Sequence, residues 1–305
     1  MRKIEERNKY NVSGMQWMKY NRRLLVWGVA IIFVAVCILG VHIYAMVFYN
    51  NPRIKVSFLD VGQGDAILIS SGNTQVLIDG GKDPKILLDR LGEQMPYGDT
   101  SIEMVIATHP DADHIGGFSE IIPHYTIASV GETTVRKDSS VYQLWEKNIY
   151  DYNLPRYIFS FGEKIVFSNG ASIRVLYPFR NQKEDKKDTN SMSLVLLLEY
   201  KEQSFLLTGD IPADKESLIE THDADVLKVS HHGSKTSTSQ TFLEAMKPED
   251  AIISVGKENS YGHPHQEVIQ ALRDRGVRMF RTDESGSITY ICGEIEDYCF
   301  VEKRK

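Results

Sequence analysis

A chain of 305 residues has room for one large domain or two modest ones, and with 25% charged and 42% hydrophobic residues it has an ordinary globular composition. Its formal charge of −6 is unevenly spread: the first fifty residues hold seven Lys/Arg and two Asp/Glu, leaving 28 Lys/Arg against 39 Asp/Glu for the rest. An acidic remainder excludes a general electrostatic trap for nucleic acid, which needs a basic footprint.

The first element is apolar. From Leu24 to Tyr49 there is no Asp, Glu, Lys or Arg, a run of 26 residues. As a helix it reaches roughly 39 Å, against about 30 Å of bilayer hydrocarbon. A buried core helix is rarely apolar on every face for so long. A cleaved signal peptide has a shorter apolar region and an A-x-A-like site, and no clear one closes this run. The reading is an uncleaved transmembrane anchor over 24–49 behind a basic segment over 1–23. Arg22 and Arg23 abut the run, with Lys19, Lys9, Arg7, Lys3 and Arg2 behind them, while only Arg53 and Lys55 lie close on the other side. The positive-inside bias then predicts a single-pass cell-membrane protein, its N-terminus cytoplasmic and everything after about Asn50 extracytoplasmic.

Beyond the anchor, Ile54–Asp60 and Ala66–Ile69 read as strands around a Gly62/Gly64 loop, and Val76–Ile78 ends at Asp79-Gly80-Gly81. Helical spacing of Ile86, Leu87, Leu88 and Leu91 predicts a helix from Pro84 to about Gln94. Met104–Ala107 is a buried strand, Ile115–Ile122 begins a helix, and strand and helix signals alternate through Val130–Asn148. Short strands follow near Tyr157–Phe161, Lys164–Phe167 and Ile173–Tyr177, then a charged loop over Arg180–Asp188. Leu194–Leu198, Phe205–Leu207, Val226–Val229 and Ile252–Val255 are further strands; Phe242–Met246 and Glu267–Arg273 are helical. The chain closes on a hairpin, Ser287–Cys292 and Tyr298–Val301, in which Cys292 and Cys299 stand as a cross-strand disulfide or as two free thiols. Mixed strands with helices between them predict one layered α/β domain over 54–303.

The chemistry concentrates in His109-Pro110-Asp111-Ala112-Asp113-His114-Ile115-Gly116-Gly117, directly after an apolar strand. Four metal-capable side chains within six positions need a divalent cation to neutralise them; imidazole suits zinc, and the carboxylates shift preference toward manganese. The glycines after them let the backbone turn close to the site.

H-x-D-x-D-H followed by Gly-Gly resembles the metal motif of metallo-β-lactamase-fold hydrolases, in the version of ComEC-type competence proteins, where the commoner pattern has His at Asp111. Phe58-Leu59-Asp60-Val61-Gly62-Gln63-Gly64-Asp65-Ala66, Leu77-Ile78-Asp79-Gly80-Gly81, Thr208-Gly209-Asp210, His231-His232-Gly233-Ser234 and Tyr261-Gly262-His263-Pro264 are similar to further motifs of that subfamily, so the likeness covers essentially 55–292. It implies an αβ/βα sandwich and a hydrolase with two divalent ions, zinc or manganese. His109 and Asp111 would hold the first ion, Asp113, His114 and His232 the second, and Asp210 would bridge them. His232 is preferred over His231 because family members place the ligand directly before Gly; the reverse stays open. His231 and His263 would contact substrate, and Asp113 would orient a metal-bridging hydroxide while serving as a ligand. The wider fold has a third His on the first ion; here Thr189-Asn190-Ser191 offers none, so Asn190 or water is left to complete that site. His42, His124, His222 and His265 are incidental, with His265 the one to test.

The resemblance implies hydrolysis of a phosphodiester, with DNA or RNA as a candidate. Release of phosphorylcholine from teichoic acid in the cell wall is a second enzyme reading. A metal-free binding protein on the same fold is the third.

Overall fold

The computed structural model describes residues 22, 25–41, 53–182, 188–220, 223–293 and 299–302. Residues 25–41 are helical, with exposed apolar side chains such as Trp27, Ile31 and Phe33. The rest of the predicted anchor lies outside the described residues, as does most of the charged loop, and among the described residues no helix is long and apolar enough to cross a membrane. Residues 52–305 form a separate compact unit.

That unit is built on two large sheets. The first runs Cys299–Glu302, Ile288–Cys292, Ile54–Phe58, Ile67–Ser71, Thr74–Ile78, Met104–Ala107, Val130–Glu132, Arg156–Ile158. It is antiparallel as far as Thr74–Ile78 and parallel from there on. The second runs Arg278–Arg281, Asp250–Ile253, Val226–Lys228, Gln203–Leu207, Val195–Tyr200, Ser172–Tyr177, Lys164–Val166, with its parallel half at the Arg278–Arg281 end. The period-2 pattern of each strand says where its faces go. Ile67, Ile69, Val76, Ile78 and Ile106 face the other sheet and meet Leu196, Phe205 and Ile252 in a shared core. Leu68, Leu77 and Val105 face outward, under Leu87, Leu91, Phe118 and Trp145 from helices. Behind the second sheet, Leu227 and Ala251 are covered by Phe242, Leu243, Val268 and Leu272. The layers are therefore helix, sheet, sheet, helix: the αβ/βα sandwich.

Helix Pro84–Gln94 spans the predicted residues, because Asp83 caps Lys85 and Ile86 and Pro84 pre-sets the first turn. The helix expected over Ile115–Ile122 is two short ones, Ala112–Ile115 and Phe118–His124, interrupted at Gly116-Gly117. Strand Arg278–Arg281 was not anticipated; an arginine at each end hides a sheet-edge strand from any search for apolar runs. Cys292 and Cys299 are paired in register across the terminal hairpin and joined by a disulfide.

A candidate metal centre between the two sheets

The loops that follow the parallel strands bring the candidate residues together, at the carboxyl ends where such sheets bind ligands. His109, Asp113 and His114 follow Met104–Ala107, and Asp79 follows Thr74–Ile78 in the same sheet. Asp210 follows Gln203–Leu207, and His231 and His232 follow Val226–Lys228, in the other sheet.

Close backbone approach makes this possible. A Cβ on Gly64 would lie 1.9 Å from the Asp113 carbonyl oxygen, and one on Gly117 would lie 2.0 Å from that of Gly80. Only glycine fits at either position. Asp79, His231 and His232 adopt left-handed backbone conformations, with φ of 56°, 49° and 56°. Each costs a non-glycine residue on the order of 1–3 kcal/mol. Such strain collects where side-chain aim matters.

At the centre, Asp210 Oδ2 lies 3.9 Å from His109 Nε2, 3.3 Å from His114 Nε2 and 3.5 Å from His232 Nε2. Asp113 Oδ2 stands 3.5 Å from His232 Nε2, and the His231 Nε2 atom is 3.8 Å from Asp210. His109, His114, His232 and Asp210 are all buried.

The opposite ring nitrogens fix what these atoms can do. His114 Nδ1 donates to Asp79 Oδ2 at 2.7 Å, and His232 Nδ1 donates to the Ser254 carbonyl at 3.0 Å. Thr108 gives its hydroxyl hydrogen to Asp79 at 2.7 Å, so the same oxygen, 3.0 Å from His109 Nδ1, accepts from that ring. A neutral ring that donates through Nδ1 has a bare lone pair at Nε2. Once its Nε2 proton is displaced, each ring therefore turns a lone pair toward the same carboxylate. The Nε2 atoms of His109, His114 and His232 and the Oδ1 atom of Asp210 have no hydrogen-bond partner. Each buried orphan costs about 1–3 kcal/mol. A cation relieves all four at once, and nitrogen and carboxylate donors are those that zinc and manganese take. The donor set fits a divalent ion.

Without an ion, the carboxylates draw protons onto two of these rings. Burial works against charge on His114, yet Asp210 and Asp79 outweigh it and hold its pKa well above the usual imidazole value. His232 is likewise opposed by burial but carried up to about 10 by Asp210, Asp113 and Asp65. Burial and the charge of His114 push His109 down. Burial would raise Asp210 and Asp113, and the surrounding imidazoles hold both well below the carboxylate range. This pocket attracts positive charge.

The predicted second group, Asp113, His114 and His232, is assembled, and Asp210 sits with His109 and His114 in an overlapping group. Asp111 belongs to no such group among the described residues; its carboxylate accepts from Lys137 at 2.6 Å and from the Thr189 hydroxyl. Asn190 lies in the short turn Thr189–Met192, partly exposed. His263 stands at the rim, its ring 5.7 Å from that of His231, with Tyr261 stacked on it at 5.6 Å. Burial and the charges of His232, His231 and His265 lower its pKa to about 4. His265 accepts from the Lys235 amide, and His124 is a surface residue bonded to the Glu120 carbonyl. His42 and His222 lie outside the described residues.

Two residues without an assigned role belong to the site. Asp79 orients His114. Asp65, fully buried, touches His232 Nδ1 at 3.3 Å and pairs with the equally buried Lys228 at 2.9 Å. Burial would raise Asp65, but Lys228 and His232 prevail and bring it to about 2. The sequence signal was a lone acid against an apolar strand, Asp65 before Ala66–Ile69 and Asp79 after Val76–Ile78, where no water reaches.

The metallo-beta-lactamase superfamily model matches residues 59–257. ComE operon protein 3 of Bacillus subtilis is 33% identical over 262 residues, covering 77% of this chain and 33% of that protein. Recombination protein 2 of Haemophilus influenzae is 30% identical over 244 residues, 78% of this chain and 29% of that protein. The chain thus spans about a third of the length of the curated relatives it matches. Among solved structures, the metallo-beta-lactamase fold protein YhfI from Bacillus subtilis superimposes with a TM-score of 0.53 at 12% identity, over 79% of this chain and 100% of that one, a likeness of fold alone. The superfamily points to a metal-dependent hydrolase. With its model matching more than half of the residues, this chain belongs to the metallo-beta-lactamase superfamily, and its relatives are ComEC-type competence proteins.

Proposed function

We propose that this chain is a membrane-anchored, extracytoplasmic phosphodiesterase that works with two divalent ions, zinc or manganese. The observation that carries the reading is the ring of three buried imidazole Nε2 atoms around Asp210. His109 and Asp111 would serve one ion, Asp113, His114 and His232 the other, with Asp210 shared between them. When bound, such ions supply Lewis-acid polarisation of a phosphoryl oxygen and an acidified water at neutral pH.

The chain's own groups do the rest. Asp113, a quarter exposed, reaches from the buried cluster toward solvent and can hold a proton-bearing nucleophile in line. His231, also partly exposed, stands beside Asp210 at the rim. His263 is kept neutral by its surroundings, so one ring nitrogen can donate to a phosphoryl oxygen without adding fixed charge. Asn259 clamps its backbone at both the amide and the carbonyl.

Three features support the setting. The 26-residue run without charge is long enough to anchor, its basic flank favours a cytoplasmic N-terminus, and the Cys292–Cys299 disulfide suits an oxidising compartment. The relatives named for competence and recombination make DNA a candidate substrate. The acidic surface favours transient engagement over tight, processive binding.

The test uses the full-length chain in detergent, stripped with chelator and resupplied with manganese or zinc. Bis-aryl phosphodiester and single-stranded DNA should be hydrolysed only with metal. Turnover of choline-phosphate esters alone would favour the cell-wall reading, and failure to bind either ion would sink the hydrolase.

A further inference from the structure

Asp111 is the proposed ligand that the fold has already given a counter-ion. Its Oδ2 atom accepts from Lys137 Nζ at 2.6 Å and its Oδ1 atom from the Thr189 hydroxyl, so both oxygens are engaged. The two partners come from different sheets. Lys137 lies in the loop after strand Val130–Glu132, and Thr189 opens the turn that leads into strand Val195–Tyr200. Asp111 meanwhile makes no side-chain cap to the helix it precedes. Nothing local holds it in place; Lys137 and Thr189 do.

An ammonium and a divalent ion cannot both sit on this carboxylate without repelling each other. The side chains of Lys137 and Asp111 are 37% and 25% exposed, so Lys137 can withdraw into water without breaking a packed core. His114 and His232, by contrast, are buried and locked by Asp79 and Ser254. We propose that Lys137 is a built-in competitor for the ion at His109 and Asp111, so that the two metal positions fill unequally. The position around Asp113, His114, His232 and Asp210 takes its ion first. The position around His109 completes its shell only when Lys137 releases Asp111.

The inference rests on the two-ion reading above, and the experiment separates the two. Manganese chloride is titrated calorimetrically into the full-length, chelator-stripped chain. The wild type should show two steps, the second weaker by at least about tenfold. An ion pair of this exposure opposes the second ion by a modest amount, so Lys137→Met should tighten that step by roughly three- to tenfold and leave the first unchanged. Lys137→Gln should match Lys137→Met, and Lys137→Arg, which keeps the charge, should restore the wild-type split. Equal steps in the wild type, or a second step unchanged, weakened or lost in Lys137→Met, overturn the role of Lys137 while leaving the two-ion reading intact. No uptake of manganese by any of the four proteins overturns both.

Discussion

Asp79 Oδ2 lies 2.7 Å from His114 Nδ1, on the far side of the ring from the nitrogen that faces Asp210. One carboxylate thereby holds the Nδ1 proton of His114 and sets the aim of its other nitrogen, the candidate ligand atom. Partners of this kind typically contribute ten- to a hundredfold to metal affinity. Asp79→Asn should therefore bind manganese or zinc about ten- to a hundredfold more weakly in chelator competition. Undiminished affinity would remove Asp79 from the site.

Asp113→Ala and Asp210→Ala should each abolish metal-dependent turnover while the circular dichroism spectrum is retained. Asp210 is buried among imidazoles and is not part of the apolar core, so its loss removes charge and leaves packing in place. Full activity in both variants would show that the reaction occurs elsewhere.

Metal affinity should rise with pH. His232 is raised to about 10 and His114 is raised as well, so the free chain carries protons where the ions would bind. Each ion must displace them, and apparent affinity should strengthen from about pH 6 to pH 9 with protons released on binding. Calorimetry in buffers of different ionisation enthalpy reads that release directly. A flat profile would contradict the protonated cluster.

Lys228→Met should destabilise the fold by about 3–5 kcal/mol in urea, because it strands a buried carboxylate. The double variant Lys228→Met/Asp65→Asn should recover much of that loss. Asp65 is depressed from its usual 3.8 to about 2, so the stability it contributes is present above pH 4 and is lost as pH falls toward 2. Asp65→Asn should flatten acid unfolding over that window.

Protease added to intact cells should release the compact unit over 52–305, and a thiol reagent should label Cys292 and Cys299 only after reduction. Protection of the unit in intact cells would reverse the proposed topology.

Much of the architecture was readable from the chain alone, for a definite reason. Strands such as Met104–Ala107 and Gln203–Leu207 are buried on both faces, and a short run of apolar residues can satisfy both. Helix Pro84–Gln94 carried its own capping signals. The interrupted helix at Gly116-Gly117 was less legible, since the Gly117 amide donates to the Gly81 carbonyl, far off in sequence, instead of back along the helix. The site divides the same way. His109, Asp113 and His114 are neighbours in sequence and in space. The partners of Asp111, Lys137 and Thr189, are 26 and 78 residues away, and no local pattern announces them. Nor does composition distinguish Asp65 and Asp79 from any acid beside a strand; the other half of each pair arrives only with the fold.

The candidate centre draws its donors from both sheets of the sandwich: His109, Asp113 and His114 from one, Asp210 and His232 from the other. An ion gripped there would act as a rivet across the seam between the halves. Chelation should then do more than silence chemistry. It should let the rim of the sandwich breathe, with faster hydrogen exchange at the loops around His114 and His232 while the opposite edge stays quiet.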